Sequence, residues 1–388
     1  MQSCQSMQQH NLPFMASSYI PGDLLILILR LLTVKTLLKL KRVCKSWKNL
    51  IDSTSFILHH LVQTQTQTPA ILVHQELANF SYILIDPKNH RFYNTITGPH
   101  GIRFPPNPTV PFNLRPISTI HGVVCLYDFH NKLLLLWNPS IHRHVTIPLP
   151  VICLNFDQRG HYCGFWIDPF TKQFKVVIFC FKRKTFALYV SKKKEWVQFA
   201  MSPDVYANYC QSPQVLIDKI AYWTATSITR RVFIVFYDFG KDESGKIDKL
   251  PKVKNKNMHG GLNAYVSKWC GLLAVVYTYK SDLFLFSDCE CDVWVLMLNG
   301  SWSNVSSFRL IECVSRVFCV FELEDQKEWV LASNWYGELL VYDREDRKCS
   351  RLVSSEKKYD WSGCTSFVGV FPLAYDFVES LVIPDHTW

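Results

Sequence analysis

Nowhere does this chain run for eighteen uncharged apolar residues, so a membrane-spanning helix is excluded and no membrane partner is expected. The fattest apolar stretch, residues 24–32, is interrupted by Arg30 and has no basic segment ahead of it, which makes it a poor secretory signal. Gly-rich phosphate loops, a G-x-S-x-G elbow and an H-E-x-x-H helix are all missing. The 14 cysteines show no framework spacing and read as reduced thiols of a cytoplasmic or nuclear protein. Cys289-Glu290-Cys291, with Cys270 and Cys313 far off, lacks the paired C-x-x-C knuckles of a zinc ribbon, so neither metal nor cofactor is expected. Low hydrophobicity is also absent: 48% hydrophobic and 14% aromatic residues exclude a disordered chain of 388 residues.

What is present divides into two unlike parts. The formal charge of +10 is concentrated at the N-terminal side. Residues 18–62 hold Arg30, Lys35, Lys39, Lys41, Arg42, Lys45 and Lys48 against only Asp23 and Asp52. Local basicity of this kind points to an acidic partner. These cations are mixed with leucines and carry no aromatic stacking platform, so nucleic acid is the weaker alternative.

Residues 1–17 are rich in Gln, Ser and Met and read as a disordered tail. Within residues 20–51, 18 of 32 positions are apolar. Pro21-Gly22-Asp23 reads as a helix start, with the acid near the positive end of the dipole. Residues 24–29 are then apolar at every azimuth, which demands burial on more than one side. A second helix fits 34–43 and a third 44–52, ending before Ser53-Thr54-Ser55. Three helices of this size cannot cover that surface alone. Either the rest of the chain covers it or another protein does. The polar run Gln63 to Pro69 reads as a linker and favours the second answer.

The run Tyr19-Ile20-Pro21-Gly22-Asp23-Leu24-Leu25, then Ile28-Leu29, Val34-Lys35-Thr36-Leu37-Leu38 and Val43-Cys44-Lys45-Ser46-Trp47, resembles the F-box of plant F-box proteins. That resemblance implies docking of residues 18–62 on the acidic Skp adaptor, and through it on a cullin–RING ubiquitin ligase. It implies contacts from Pro21, Leu24, Leu25, Ile28, Leu29, Leu32, Leu37, Leu38, Val43, Cys44 and Trp47. Three positions depart from the family pattern: Gly22 and Leu27 stand where acids are usual, and Thr33 where proline is usual. The missing proline predicts a less fixed turn between the first two helices.

From residue 70 onward, apolar runs of four to eight residues alternate with turn clusters, an all-β pattern. An aliphatic–aromatic run closed by Asp or Asn recurs with anchors at Ile85, Trp137, Tyr189, Tyr237, Val295 and Tyr342. Their spacing, near 50 residues, is that of kelch-like propeller blades. The expected fold is therefore a small three-helix F-box followed by a propeller of about six blades over residues 70–388. Seven blades would result if residues 361–384 closed the ring with an early strand. Trp166-Ile167-Asp168-Pro169 into Phe174 reads as a hairpin. Lys182-Arg183-Lys184 and Lys192-Lys193-Lys194 read as turns, His142-Arg143-His144 as an exposed strand, and residues 241–257 as a mobile insertion.

This half resembles the F-box-associated domain of the same proteins, through Gly122-Val123-Val124-Cys125-Leu126, Leu136-Trp137-Asn138-Pro139-Ser140 and Gly164-Phe165 with Asp168 and Phe174-Lys175-Val176-Val177. Asp292-Val293-Trp294-Val295-Leu296 and Glu379-Ser380-Leu381 match as well. The Gly-Gly pairs of standard kelch repeats are missing, Gly260-Gly261 being a lone instance. The resemblance implies a non-catalytic substrate receptor for a protein target that the sequence does not name. The competing reading is a carbohydrate-binding or glycosidase-like propeller capped by the helices. Glycosidases need two converging carboxylates, whereas Asp86, Asn138, Asp238 and Asp343 occupy turn positions after the anchors.

Overall fold

The computed structural model describes residues 21–65, 70–74, 81–86, 91–97, 115–128, 132–150, 161–201, 209–210, 214–227, 231–252, 262–280, 289–310, 314–322, 328–334, 339–343, 348–351 and 373–383. The expected tail 1–17, linker residues 66–69 and Gly260-Gly261 lie outside them.

Four helices open the structure, one more than expected: α1 (Gly22–Arg30), α2 (Val34–Leu40), α3 (Lys45–Asp52) and α4 (Thr54–Gln65). Ser53 explains the difference. Its hydroxyl donates to the Leu50 carbonyl (2.7 Å), closing α3, and accepts from the Phe56 amide (3.3 Å), opening α4. A residue that reads as a stop is therefore also a cap. The helix then continues through Gln63-Thr64-Gln65, the start of the expected linker.

Thr33 alters the expectation for the first turn in the same way. It is the N-cap of α2, and its Oγ1 accepts from the Thr36 amide at 3.4 Å. Proline could match its φ of −64° but would bring no hydroxyl. The turn is thus tied by a cap instead of a ring. Cys44 caps α3 similarly, its Sγ accepting from the Trp47 amide at 3.5 Å.

The strands follow in chain order. β1 (Ala70–His74), β2 (Ser81–Asp86) and β3 (Arg91–Thr97) come first. β4 (Arg115–Ile120), β5 (Val123–Asp128), β6 (Leu133–Asn138) and β7 (Arg143–Pro148) form one antiparallel sheet. β8 (His161–Ile167), β9 (Phe174–Cys180), β10 (Thr185–Val190) and β11 (Glu195–Ala200) form the next. A third contains β12 (Tyr209–Cys210), β13 (Val215–Ile217), β14 (Ile220–Thr226), β15 (Val232–Asp238) and β16 (Glu243–Ile247). Then come β17 (Leu262–Trp269), β18 (Leu272–Lys280), β19 (Cys289–Leu296) and β20 (Trp302–Leu310). The last consecutive set is β21 (Val314–Glu322), β22 (Glu328–Asn334), β23 (Leu339–Asp343) and β24 (Lys348–Arg351).

Five blades are therefore built from consecutive strands. The remaining sheet is a composite, ordered β25-β1-β2-β3, with β25 (Leu373–Phe377) paired antiparallel to β1 from Ala70↔Phe377 to His74↔Leu373. The expectation of about six blades, or of seven with residues 361–384 closing the ring, is corrected to five blades of consecutive strands: the late strand joins the sheet of β1–β3 and adds no further blade. Neighbouring sheets touch through β4 and β8, β8 and β14, β14 and β17, β17 and β21, β21 and β25, and β25 and β4. Radial repetition of this kind leaves only short, protected edges.

All six anchors lie on the third strand of their sheets, β2, β6, β10, β15, β19 and β23. β5 and β6 are buried at every position, a pattern that only strands covered on both faces can sustain. The residues expected to form a mobile insertion are in part a strand. β16 pairs with β15 from Ile234↔Ile247 to Asp238↔Glu243, and a side chain at Gly245 would strike the Phe236 ring. His142 sits in a turn at φ +54°, ahead of β7, so it does not alternate with His144 on a strand. The 182–184 and 192–194 lysine runs do fall in turns, with Lys184 and Lys194 at positive φ.

One core runs through both halves. Leu29, Val34, Leu37, Ile51, Phe56, Ile57 and Leu61 of the helices share a cluster with residues of β5–β10 and with Leu381 and Val382. Behind β25, the Asn138 amide donates to the Ser380 carbonyl (3.0 Å), Ser380 Oγ (3.1 Å) and the Val382 carbonyl (2.8 Å). Gly122 is obligatory there. Its φ is +77°, and a Cβ would lie 2.4 Å from the Val378 oxygen. Both motif residues therefore hold the chain's last described segment.

Candidate docking surface

α1 carries two apolar stripes. Leu25, Leu29 and Leu32 (with Ile26) face the core, Leu29 fully buried and the others packed half-buried against it. On the other side, Leu24, Leu27, Ile28 and Leu31 follow the i, i+3, i+4, i+7 rule and are 52%, 53%, 48% and 72% exposed. Two more exposed aliphatics belong to the same four-helix unit: Val43 after α2, at 65%, and Val62 on α4, at 62%.

The positions implied by resemblance separate accordingly. Pro21, Leu24, Ile28, Val43 and Cys44 are exposed; Leu25, Leu32, Leu38 and Trp47 are half-buried. Leu29 and Leu37 have 1% and 0% exposure, so they hold the helices together and offer no surface to a partner. The resemblance implies both as contacts; in this structure the chain itself covers them. An all-apolar helix does not by itself say which side turns inward. Leu27, Leu31 and Val62 were missed, although the spacing from Leu24 to Leu31 could have found the first two.

The charges around this surface are mostly positive, Asp23 and Asp52 being the acids. Lys41 and Lys48 are bound to Asp52 at 2.6 and 3.0 Å. Burial pushes the Asp52 carboxyl up, but bonds and charge from these two lysines outweigh it and hold its pKa below the usual value. Lys35, Lys39, Arg42 and Lys45 are exposed, the last two flanking Val43 and Cys44. Fully burying one large aliphatic side chain is worth roughly 1.5–3 kcal/mol. A ridge of six, edged with cations, suits a partner that is apolar at its centre and acidic at its rim.

The ridge rests on a polar strut. His60 of α4 is buried and its Nε2 lies 2.9 Å from the Leu32 carbonyl, at the α1–α2 turn. Burial holds the His60 pKa below its ordinary value, against the opposing pull of that bond. The imidazole is therefore neutral and donates from Nε2.

Turn chemistry occupies Asp238 and Asn138, two of the Asx positions after the anchors, and Asp168 of the hairpin. Asp238 Oδ1 accepts from the Gly240 amide at 2.8 Å, Asp168 Oδ1 from the Phe170 amide at 2.9 Å, and Asn138 Oδ1 from the Ser140 amide at 2.9 Å. Among the described residues no three His, Cys, Asp or Glu side chains come together as metal ligands, and no helix is long and apolar enough to cross a membrane.

Comparison with known proteins decides the family. The model of the F-box associated beta propeller domain matches residues 71–363, and that of the F-box domain matches residues 18–59. The chain belongs to the F-box-associated β-propeller family. It is 27% identical over 313 residues to the F-box/kelch-repeat protein At3g23880 of Arabidopsis thaliana, covering 77% of this chain and 79% of that one. It is 23% identical to the putative F-box protein At3g16210 of the same plant, covering 95% and 98%. Among solved structures, the virginiamycin B lyase of Staphylococcus aureus aligns at TM-score 0.40 and 9% identity, over 80% of this chain and 87% of that chain. A likeness that distant has no bearing on function. Of the three positions that depart from the family pattern, Gly22 and Leu27 are exposed on α1 and Thr33 caps α2.

Proposed function

We propose that this protein is a non-catalytic substrate receptor of an SCF-type ubiquitin ligase, acting in the cytoplasm or nucleus. α1 and the α2–α3 corner dock on a Skp-family adaptor, and the propeller holds a target protein. The observation that carries the reading is the exposed ridge of Leu24, Leu27, Ile28, Leu31, Val43 and Val62 beside the exposed cations Lys35, Lys39, Arg42 and Lys45, on a helical unit whose other face is already buried. The mechanism is proximity: tethering raises the effective concentration of target lysines near the ubiquitin-charged enzyme.

Co-purification with a Skp adaptor tests it. Ile28→Asp and Val43→Asp are each expected to weaken capture on the order of 100-fold, as for central interface residues, while thermal unfolding stays within about 2 °C of the parent. Leu298→Asp, on a fully exposed propeller turn, is expected to change nothing. Undiminished capture by both helix variants would show the surface to be wrong.

A further inference from the structure

We propose that residues 378–382 are a splint that fixes the docking helices at one orientation on the propeller, with Asn138 as its positioning residue. The purpose of the splint rests on the receptor reading above; its geometry does not. Ring closure does not account for the segment. β25 ends its pairing with β1 at Phe377, so the residues after it add no ladder to any sheet.

They are nonetheless among the most tightly held in the molecule. Asn138 and Ser380 are fully buried. The Asn138 amide reaches two carbonyls and one hydroxyl of the segment, and Ser380 Oγ donates to the His121 carbonyl while accepting from the Val382 amide. Every polar group of the lock has a partner in a dry site, so removing one member leaves others buried and unpaired. The lock delivers Leu381 and Val382, each 2% exposed, into the core cluster that contains Leu29, Leu37, Phe56 and Leu61 of the helices.

One polar link flanks that apolar contact. Gln65, the last residue of α4, has its Nε2 2.9 Å from Nδ1 of His121, the residue whose carbonyl Ser380 grips. Glu379 feels the charge of Lys35 on α2, although burial dominates and pushes its carboxyl up. The helices are thus held at the end of α4 and across their buried face, through one short segment and the turn it clasps. A docking module on a free linker would sweep a volume. A splinted one presents the bound target at one distance and angle from whatever the helices engage.

Intramolecular energy transfer in the full chain tests this, with dyes placed through unnatural amino acids at Ser46 and Lys193, both exposed. The parent is expected to give one narrow distance distribution. Asn138→Ala, and separately Ser380→Ala combined with Leu381→Ala, are expected to broaden it at least twofold while adaptor affinity changes less than twofold. If Asn138→Ala does not fold, the double variant decides. A folded variant that keeps the parent's narrow distribution, even with a lowered melting temperature, overturns the splint. Titration of the unmodified chain with adaptor is scored separately: no binding there defeats the receptor reading, and the width of the distribution still decides the splint.

Discussion

The helices and the blades solve the same problem in opposite ways. In the sheet of β4–β7, the two central strands bury all of their side chains, and Trp137 is 2% exposed. In the four helices, six large aliphatic side chains stand in water, out of ten such exposed hydrophobics among the described residues of the whole chain. A closed ring covers its own strands. Short helices with apolar stripes on two sides cover only one by folding, and the other stays in water. The difference teaches that surplus hydrophobicity, more than hydrophobicity itself, marks the docking module.

The sharpest way to break this comparison is to exchange inner and outer positions. Leu37→Asp puts a carboxylate into a fully buried site and is expected to cost several kcal/mol. It should melt the helical unit, read as lost helical circular dichroism, whereas Ile28→Asp should leave the spectrum intact. Equal effects would erase the distinction between the two stripes.

A middle-sized effect concerns the first turn. Thr33→Ala removes the hydroxyl that caps α2 and is expected to destabilise the helices by about 1 kcal/mol in chemical denaturation. No change would mean that the cap is idle and that the missing proline remains uncompensated.

The smallest effect is a pH dependence. His60 has a folded pKa below its unfolded value, so the native state binds fewer protons than the unfolded one. Its contribution is fully present above about pH 6.5 and shrinks as pH falls below that value toward the folded pKa. Denaturation at pH 7.5 and 5.5 should show the helices losing stability in the parent and losing less of it in His60→Gln. The same slope in both would assign the dependence elsewhere.

How far the sequence could be read depended on burial. The six anchors were visible because the third strand of each sheet carries an apolar run, and Asn138 and Asp238 close two of those runs with Asx turns. β16 was not visible: it lies at the outer edge of its sheet, so Glu243, Lys246 and Ser244 replace the apolar alternation. α4 was hidden by Ser53-Thr54-Ser55, a cluster that breaks helices in most settings and here both ends and starts one. At the docking surface the residue types were legible and their direction was not. Leu29 and Leu37 stand among the contacts that the resemblance implies, and only the packing of Phe56, Ile57 and Leu61 of α4 in the same cluster shows that they are covered by the chain itself. The role of Asn138 in holding the C-terminal segment has no local signal, since its partners lie more than 240 positions away.

The central claim is that the outer stripe of α1 and the α2–α3 corner are the surface that a Skp adaptor covers. Amide hydrogen exchange of the full chain, with and without saturating adaptor, tests it most directly. Slowed exchange confined to residues 22–31 and 41–47, with the blades unchanged, is the predicted result. Protection that appears on the blades instead, or none in those two segments despite binding, would contradict it.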